Sequence, residues 1–333
     1  MDEIITLDYG SGGRKTAQLI DEMILPLLSN EALSQLGDGA ILPGHEKLVF
    51  STDSFVVSPC FFPGGDIGKL SVCGTVNDIA MCGGEPKYLS LSFIIEEGMS
   101  VEALKKIIVS IAQTAKKAGV QIVTGDTKVV QRGKGDGIYI NTAGIGFLRH
   151  EGLSPDNIRA GDKVILSGAM GDHGCAVMLA REDDLLESPI LSDCAPLHEL
   201  AATLRPFGTA IRVLRDPTRG GVATTLNEFT EGRTFSIELE ENRLPIRRSV
   251  AAACEILGLD PLYCANEGKM LSIVAPEAAE AALAAMRQCP EGKDAAIIGS
   301  VSNDHSGKVV LKTAFGGTRV LSKLSGAQLP RIC

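Results

Sequence analysis

Tryptophan is absent from the 333 residues, and aromatic residues make up only 4% of them. A surface that stacks successive nucleobases therefore has little to be built from. No basic run interrupts a composition of 32 Lys and Arg against 41 Asp and Glu, and the net charge is −9. Non-specific attraction to nucleic acid or to an anionic membrane surface is not expected. No apolar run approaches the length of a membrane span. The opening MDEIITLDYG lacks the basic flank and apolar stretch of a secretory signal, so a cytoplasmic protein is expected. The 37 glycines follow no period that would mark collagen or a solenoid, and they read as turns and close backbone approaches. Cysteine is present, but its usual patterns are not. The nine cysteines lie at 60, 73, 82, 175, 194, 254, 264, 289 and 333, with no C-x-x-C pair and no zinc-type spacing with histidine. Those in apolar text read as small buried hydrophobes in a reducing compartment. Cys333 differs: it is the last residue, where a prenylation signal would place cysteine four from the end.

What is present is the text of an α/β or α+β protein long enough for two domains. EKLVFSTDSFVV, KYLSLSFIIE, VQIVTGD and GIYINTAGIGFL read as strands, and IGKLSVCGTVNDIAMCGG as a helix stopped by Gly83 and Gly84. The clearest helix has Ser100 as its N-cap. Leu104, Ile107, Ile108, Ile111 and Ala115 share one face, and Gly119 is the stop. The polar junction EGLSPDNIRAG marks a boundary, giving an N-terminal domain over 1–150 and a C-terminal α/β domain over 151–320. The second domain alternates strands (DKVILSG, TFSIELE, KMLSIVA, AAIIGSVS, KVVLKTA) with helices around DHGCAVMLARE, APLHELAATL, GGVATTLNEF, RRSVAAACEILG and PEAAEAALAAMRQC. Periodicity then fades, and 321–333 is expected to be a flexible tail with a reach of up to ~40 Å.

Asp38 in LGDGA, Asp53 in STDSF, Asp78 in VNDIAMCGG, Asp126 in TGDTKVV and Asp216 in RDPTRGG fall at element ends rather than on solvated helix faces. One Asp beside Gly is a turn former. Five of them in apolar or Gly-rich settings suit Mg²⁺, which takes carboxylate oxygens and keeps positions open for water and phosphate. YGSGGRKT is not a Walker A loop, since Arg14 stands where that motif needs Gly, yet its backbone N–H groups could still meet phosphate. Glu267 in CANEGKM is a candidate general base, and Lys128 a candidate partner for developing negative charge. His173 in GDHG reads as structural.

Taken together, VNDIAMCGG, GDTKVV, DPTRGG, NEGKM and the ending PRIC resemble the HypE family of hydrogenase-maturation carbamoyl dehydratases, end to end. That family lies within the aminoimidazole ribonucleotide synthetase and selenophosphate synthetase superfamily, whose sister families lack the PRIC ending. The reactive Cys or selenocysteine that selenophosphate synthetases commonly carry in the N-terminal Gly-rich loop is missing; Ser11, Gly12 and Gly13 stand there. The resemblance implies a two-domain fold, with a sheet-plus-helix N-terminal domain that forms a homodimer. It implies ATP against Gly12, Gly13, Asp38, Asp53, Asn77, Asp78, Gly125, Asp126 and Asp216. It implies Cys333 as the carrier of an S-carboxamide placed by the partner HypF, with ATP-driven dehydration to an S-cyanide. It implies Glu267 as base and Lys128 as the active-site lysine. The cyanide would pass to iron on a HypC–HypD complex for a nickel–iron hydrogenase. Two other readings stay open: another ATP-using superfamily enzyme, either an amidine-forming synthetase or a small-molecule kinase, and a non-enzymatic thiol carrier.

Overall fold

The structure, a computed structural model, describes residues 2–11, 13–36, 39–181, 189–323 and 331–333. It opens with two short helices, α1 (Arg14–Leu19) and α2 (Leu25–Leu28), followed by β1 (Leu48–Phe55) and a small hairpin, β2 (Phe61–Phe62) and β3 (Gly65–Asp66). Next come α3 (Ile67–Met81), β4 (Gly84–Glu96), α4 (Val101–Ala118), β5 (Gln121–Val130) and β6 (Ile138–Leu148). The first sheet has the order β1-β6-β4-β5. Only the β4–β5 pair is parallel, joined by α4 as crossover.

α4 forms where the 3.6-residue pattern predicts it. The Ser100 hydroxyl accepts from the Ala103 N–H, and Gly119 closes the helix at φ 65°. Ile107, Ile108 and Ile111 are fully buried against the sheet; each such side chain stabilises the fold by roughly 1.5–3 kcal/mol. α3 obeys a different rule. It is apolar nearly all round because it lies between the first sheet and the second half of the chain. Asp66 caps it through the N–H groups of Gly68 and Lys69. Both long helices cover one face of the sheet. The other face is left uncovered by the described residues, with Leu48, Phe50 and Ile94 all exposed.

The second half runs β7 (Lys163–Leu166), α5 (Asp172–Leu179), α6 (His198–Thr203), β8 (Ile211–Arg215), α7 (Gly221–Thr230), β9 (Ser236–Glu240) and α8 (Arg248–Leu257). It then runs β10 (Leu271–Val274), α9 (Ala279–Met286), β11 (Ala296–Ser302), β12 (Val309–Lys312) and β13 (Thr318–Leu321). Its strand order is β13-β12-β9-β11-β7-β10-β8, with only β9–β12 parallel. Strand alternation divides the core. Val164 and Leu166 pack with α7, while Ile165 between them packs with α6 and α9 on the opposite face. Besides the two-residue strands β2 and β3, two strands escape a reading of the sequence. β8 is Arg-interrupted IRVLR, and β13 lies in TRVL, just before the Ser322 carbonyl that accepts from the Tyr263 hydroxyl. The two halves meet along the C-terminal part of α3, where Ala80 and Met81 enter the α6–α9 core.

Candidate active site

Where the halves meet, three of the sequence's aspartates come together. Asp53 sits on β1 opposite Thr142, whose hydroxyl donates to the Ser71 carbonyl of α3, so this face of the strand looks onto that helix. Asp78 is on the last turn of α3 and accepts from the Ser51 hydroxyl at 2.8 Å. Asp216 follows β8. Burial raises all three carboxyls above the ordinary range, with Asp78 adding to the rise of both others, and Asp216 is pushed up to about 7. Arg215 and Arg219 pull the other way. A cluster of carboxylates that raise one another is the donor set a hard divalent cation relieves, so the residues present fit Mg²⁺.

Glu267 faces the same space. It is 2% exposed, and its Oε1 finds no hydrogen-bond partner among the described residues. Burial lifts its carboxyl well above the usual range, aided by Cys194, Asp216, Asp193 and Asp53. The backbone around it is over-determined. Its N–H donates to Asp193 Oδ1, which belongs to a carboxylate paired with Lys269 at 3.2 Å. Asn266 donates to the Pro217 and Cys264 carbonyls and accepts from Gly171 N–H. Gly268 is required by contact: a Cβ there would lie 1.8 Å from the Asp193 carbonyl oxygen. Asn77 is a strut between the halves. Its amide donates to the Ala195 and Glu267 carbonyls and accepts from Leu197 N–H, which leaves it committed to the protein.

The tip of the chain enters this space. Arg331–Cys333 lie beside the segment that follows β1: Val56 N–H donates to the Cys333 carbonyl, Ser58 N–H to the Arg331 carbonyl, and Arg331 Nε to the Val56 carbonyl. Ile332 is 2% exposed in the first-half core. Two side chains from α5 and its C-terminal end grip the backbone. His173 Nε2 donates to the Ile332 carbonyl at 2.8 Å, a tautomer that leaves Nδ1 to accept from the Ser192 hydroxyl. Arg181 donates to the Ser58 carbonyl at 2.6 Å and to the Arg331 carbonyl at 2.7 Å. Arg331 holds a positive φ of 51°, a strained state for a residue with a Cβ. It is secured by an ion pair with Asp136 and by its place over the Tyr139 ring. The Cys333 thiol is pushed up to about 12, first by burial and then by Glu267 and Asp53, with Arg219 opposing. The docked sulfur is therefore a neutral thiol in the field of Glu267.

Residues 36–148 match the family described as AIR synthase related protein, N-terminal domain, and 159–312 match its C-terminal domain. The carbamoyl dehydratase HypE of Bradyrhizobium diazoefficiens is 51% identical over 332 residues, which covers 99% of this chain and 96% of that protein. The chain belongs to the HypE family of carbamoyl dehydratases. A crystal structure of HypE in complex with ATP superposes with a TM-score of 0.95 at 48% identity, covering 98% of this chain and 99% of that one. HypE from a HypE–HypF complex gives 0.80 at 50% identity, over 92% and 99%. HypE proteins act in hydrogenase maturation, and the two-domain AIR-synthase-type fold expected from the motifs is the fold observed. No described helix is long and apolar enough to cross a membrane.

Other candidates lie elsewhere. Asp126 and Lys128 pair with Ser92 and Ile94 across the β4–β5 ladder, so they share the uncovered face of the sheet. They form an exposed ion pair at 2.5 Å, and Lys128 holds the Asp126 carboxyl below its usual range. β5 and β1 are opposite edges of a four-stranded sheet, about 14 Å apart at ~4.8 Å per strand. Gly125 lies against the Leu91 carbonyl, 2.4 Å from where a Cβ would sit, and Gly13 precedes α1, where a Cβ would touch the Ser11 hydroxyl at 3.5 Å. Gly12 and Asp38 lie outside the described residues, as do Leu329 and Pro330 of the tail. Sequence reasoning missed Arg181, Arg219 and Asn266, and gave His173 no functional task. Asn266 carried a local signal, its place beside Glu267 in the NEGK motif. Arg181 carried none, because its partners are backbone carbonyls far along the chain.

Proposed function

We propose that this chain is an ATP-dependent carbamoyl dehydratase whose substrate is an S-carboxamide on its own Cys333. The observation that carries the reading is the docked terminal thiol beside a buried Glu267 with an unpartnered Oε1, among the Asp53, Asp78 and Asp216 carboxylates. The amide oxygen takes the γ-phosphoryl of ATP, with ADP leaving in line. Loss of phosphate then breaks the C–O bond as nitrogen gives up its two protons, so a nitrile on sulfur, ADP and phosphate result. Mg²⁺ bound to Asp53, Asp78 and Asp216 would neutralise phosphate charge. Glu267, whose burial raises its affinity for protons, is the group placed to take one from nitrogen. Arg219 offsets the negative charge that gathers around the sulfur.

The docked thiol is protonated and partly shielded, so carbamoylation needs the tail released. That supports HypF as a partner that receives the undocked tip, and HypC–HypD as the later acceptor of cyanide for iron. The uncovered sheet face with Leu48, Phe50 and Ile94 supports a homodimer built on it. In that assembly Lys128 and Asp126 serve the site of the other copy.

Mass spectrometry of the C-terminal peptide tests the reading. After treatment with HypF and carbamoyl phosphate, the Cys333 peptide gains a carbamoyl group, and it loses one water only with ATP and Mg²⁺. Glu267→Gln halts at the carbamoyl stage. Loss of water without nucleotide overturns the mechanism.

A further inference from the structure

Cys175, Cys254 and Cys264 are far apart or unremarkable in sequence, yet their sulfurs converge in space. Cys175 and Cys254, 79 residues apart, have Sγ atoms 3.5 Å from each other. Cys254 and Cys264 are separated by 3.7 Å, and all three sulfurs lie within 4.8 Å of one another. They come from three elements: α5, the last turns of α8, and the loop that precedes Asn266. All are buried, at 0%, 1% and 1% exposure. Their surroundings are mostly apolar, made of Ala176, Leu179, Ile190, Val250 and Ala253, with the Cys264 thiol also donating to the Asp260 carbonyl at 3.6 Å.

Cysteine packed as a small hydrophobe accounts for one pair in contact. It does not require three buried thiols from three elements to gather within 4.8 Å of one another. A tetrahedral ion does. With zinc–sulfur bonds of ~2.3 Å, adjacent sulfurs stand ~3.8 Å apart, close to the two separations observed. An all-sulfur, water-poor site selects a thiophilic ion and rejects Mg²⁺, so it would not compete with the aspartate cluster for the same metal. We propose that Cys175, Cys254 and Cys264 form a buried site for a thiophilic divalent ion of the zinc type. Loading releases thiol protons as each sulfur becomes a ligand. The ion ties together two elements of the active site: α5, which carries His173, and the 264–267 loop, which carries Glu267.

Cobalt is the probe, because thiolate ligation gives it a sulfur-to-metal charge-transfer band that oxygen ligands do not. The full-length chain is used with Cys333→Ser, which removes the tail thiol as a competing ligand. After chelator stripping under reducing conditions, it binds one equivalent of Co²⁺ with that band, and Zn²⁺ displaces it. Cys254→Ala, which removes the sulfur that contacts both others, abolishes the band, while Cys289→Ala keeps it. Cys264→Ala stands in if Cys254→Ala does not fold. As a measurement on unsubstituted thiols, Zn²⁺ also raises the melting temperature of the stripped chain, and excess chelator reverses the rise. Cobalt uptake without the band, or a band that survives loss of Cys254, overturns the proposal and leaves three packed thiols.

Discussion

At the scale of single residues, the site is a set of carboxyls held where they resist ionisation. Asp216 keeps its proton to about pH 7 in the folded chain, against an ordinary value of 3.8. Between those values the folded state binds more protons than the unfolded one, so stability falls as pH rises through the window, at up to about 1.4 kcal/mol per unit. Thermal melts of Asp216→Asn in Mg²⁺-free buffer check this. The variant should melt above the parent at pH 8 and level with it near pH 4, and Mg²⁺ should stabilise the parent more. Equal curves at both pH values would show that the ionised carboxylate is already compensated. The aspartates were legible in sequence from their Gly-rich or apolar settings, although Asp53 lies within β1 and Asp126 in the middle of β5 rather than at element ends. His173 was legible only as a turn residue. Its task depends on the Ile332 carbonyl 159 residues away, and no local pattern encodes that distance.

At the scale of elements, α5 with its C-terminal extension works as a clamp. One end presents His173 and the other Arg181, and both hold carbonyls rather than side chains. Backbone readout by the clamp leaves the tail's identity to the buried Ile332, to Arg331 through Asp136 and Tyr139, and to Cys333. A hydrogen bond from a charged donor is worth ~1.5–3 kcal/mol. Arg181→Met should therefore raise the undocked fraction of the tip about tenfold or more. The rate of maleimide alkylation of Cys333 reads that fraction, since the docked thiol is both protonated and partly shielded. An unchanged rate would mean that the strand-like contacts with Val56 and Ser58 suffice alone. Elements with a complete local code, such as α4 with its Ser100 cap and Gly119 stop, could be placed from the sequence. β8 and β13 could not, because arginines and short length hide their alternation, and their place is fixed by β10 and β12 alongside them.

At the scale of the whole molecule, the two halves supply different parts of one site: Asp53 and Asp78 from the first, Asp216 and Glu267 from the second. Asn77 bridges them. Lys128 stands apart from this assembly within a single chain, with Asp126 beside it, on the far edge and the uncovered face of the first sheet. If the proposed dimer delivers it to the other copy, Lys128→Ala and Glu267→Gln should each be inactive alone and complement when mixed. A mixed dimer then has one site with both groups intact and one with neither. Random exchange at equal amounts makes half the dimers mixed, so about a quarter of all sites recover. Single-turnover formation of S-cyanide on the mixed sample measures that fraction. Recovery near zero, with subunit exchange verified, would place Lys128 outside the chemistry or within its own chain's site. The geometry of one chain, with about 14 Å and a sheet between the lysine and Asp53, argues for exchange between copies.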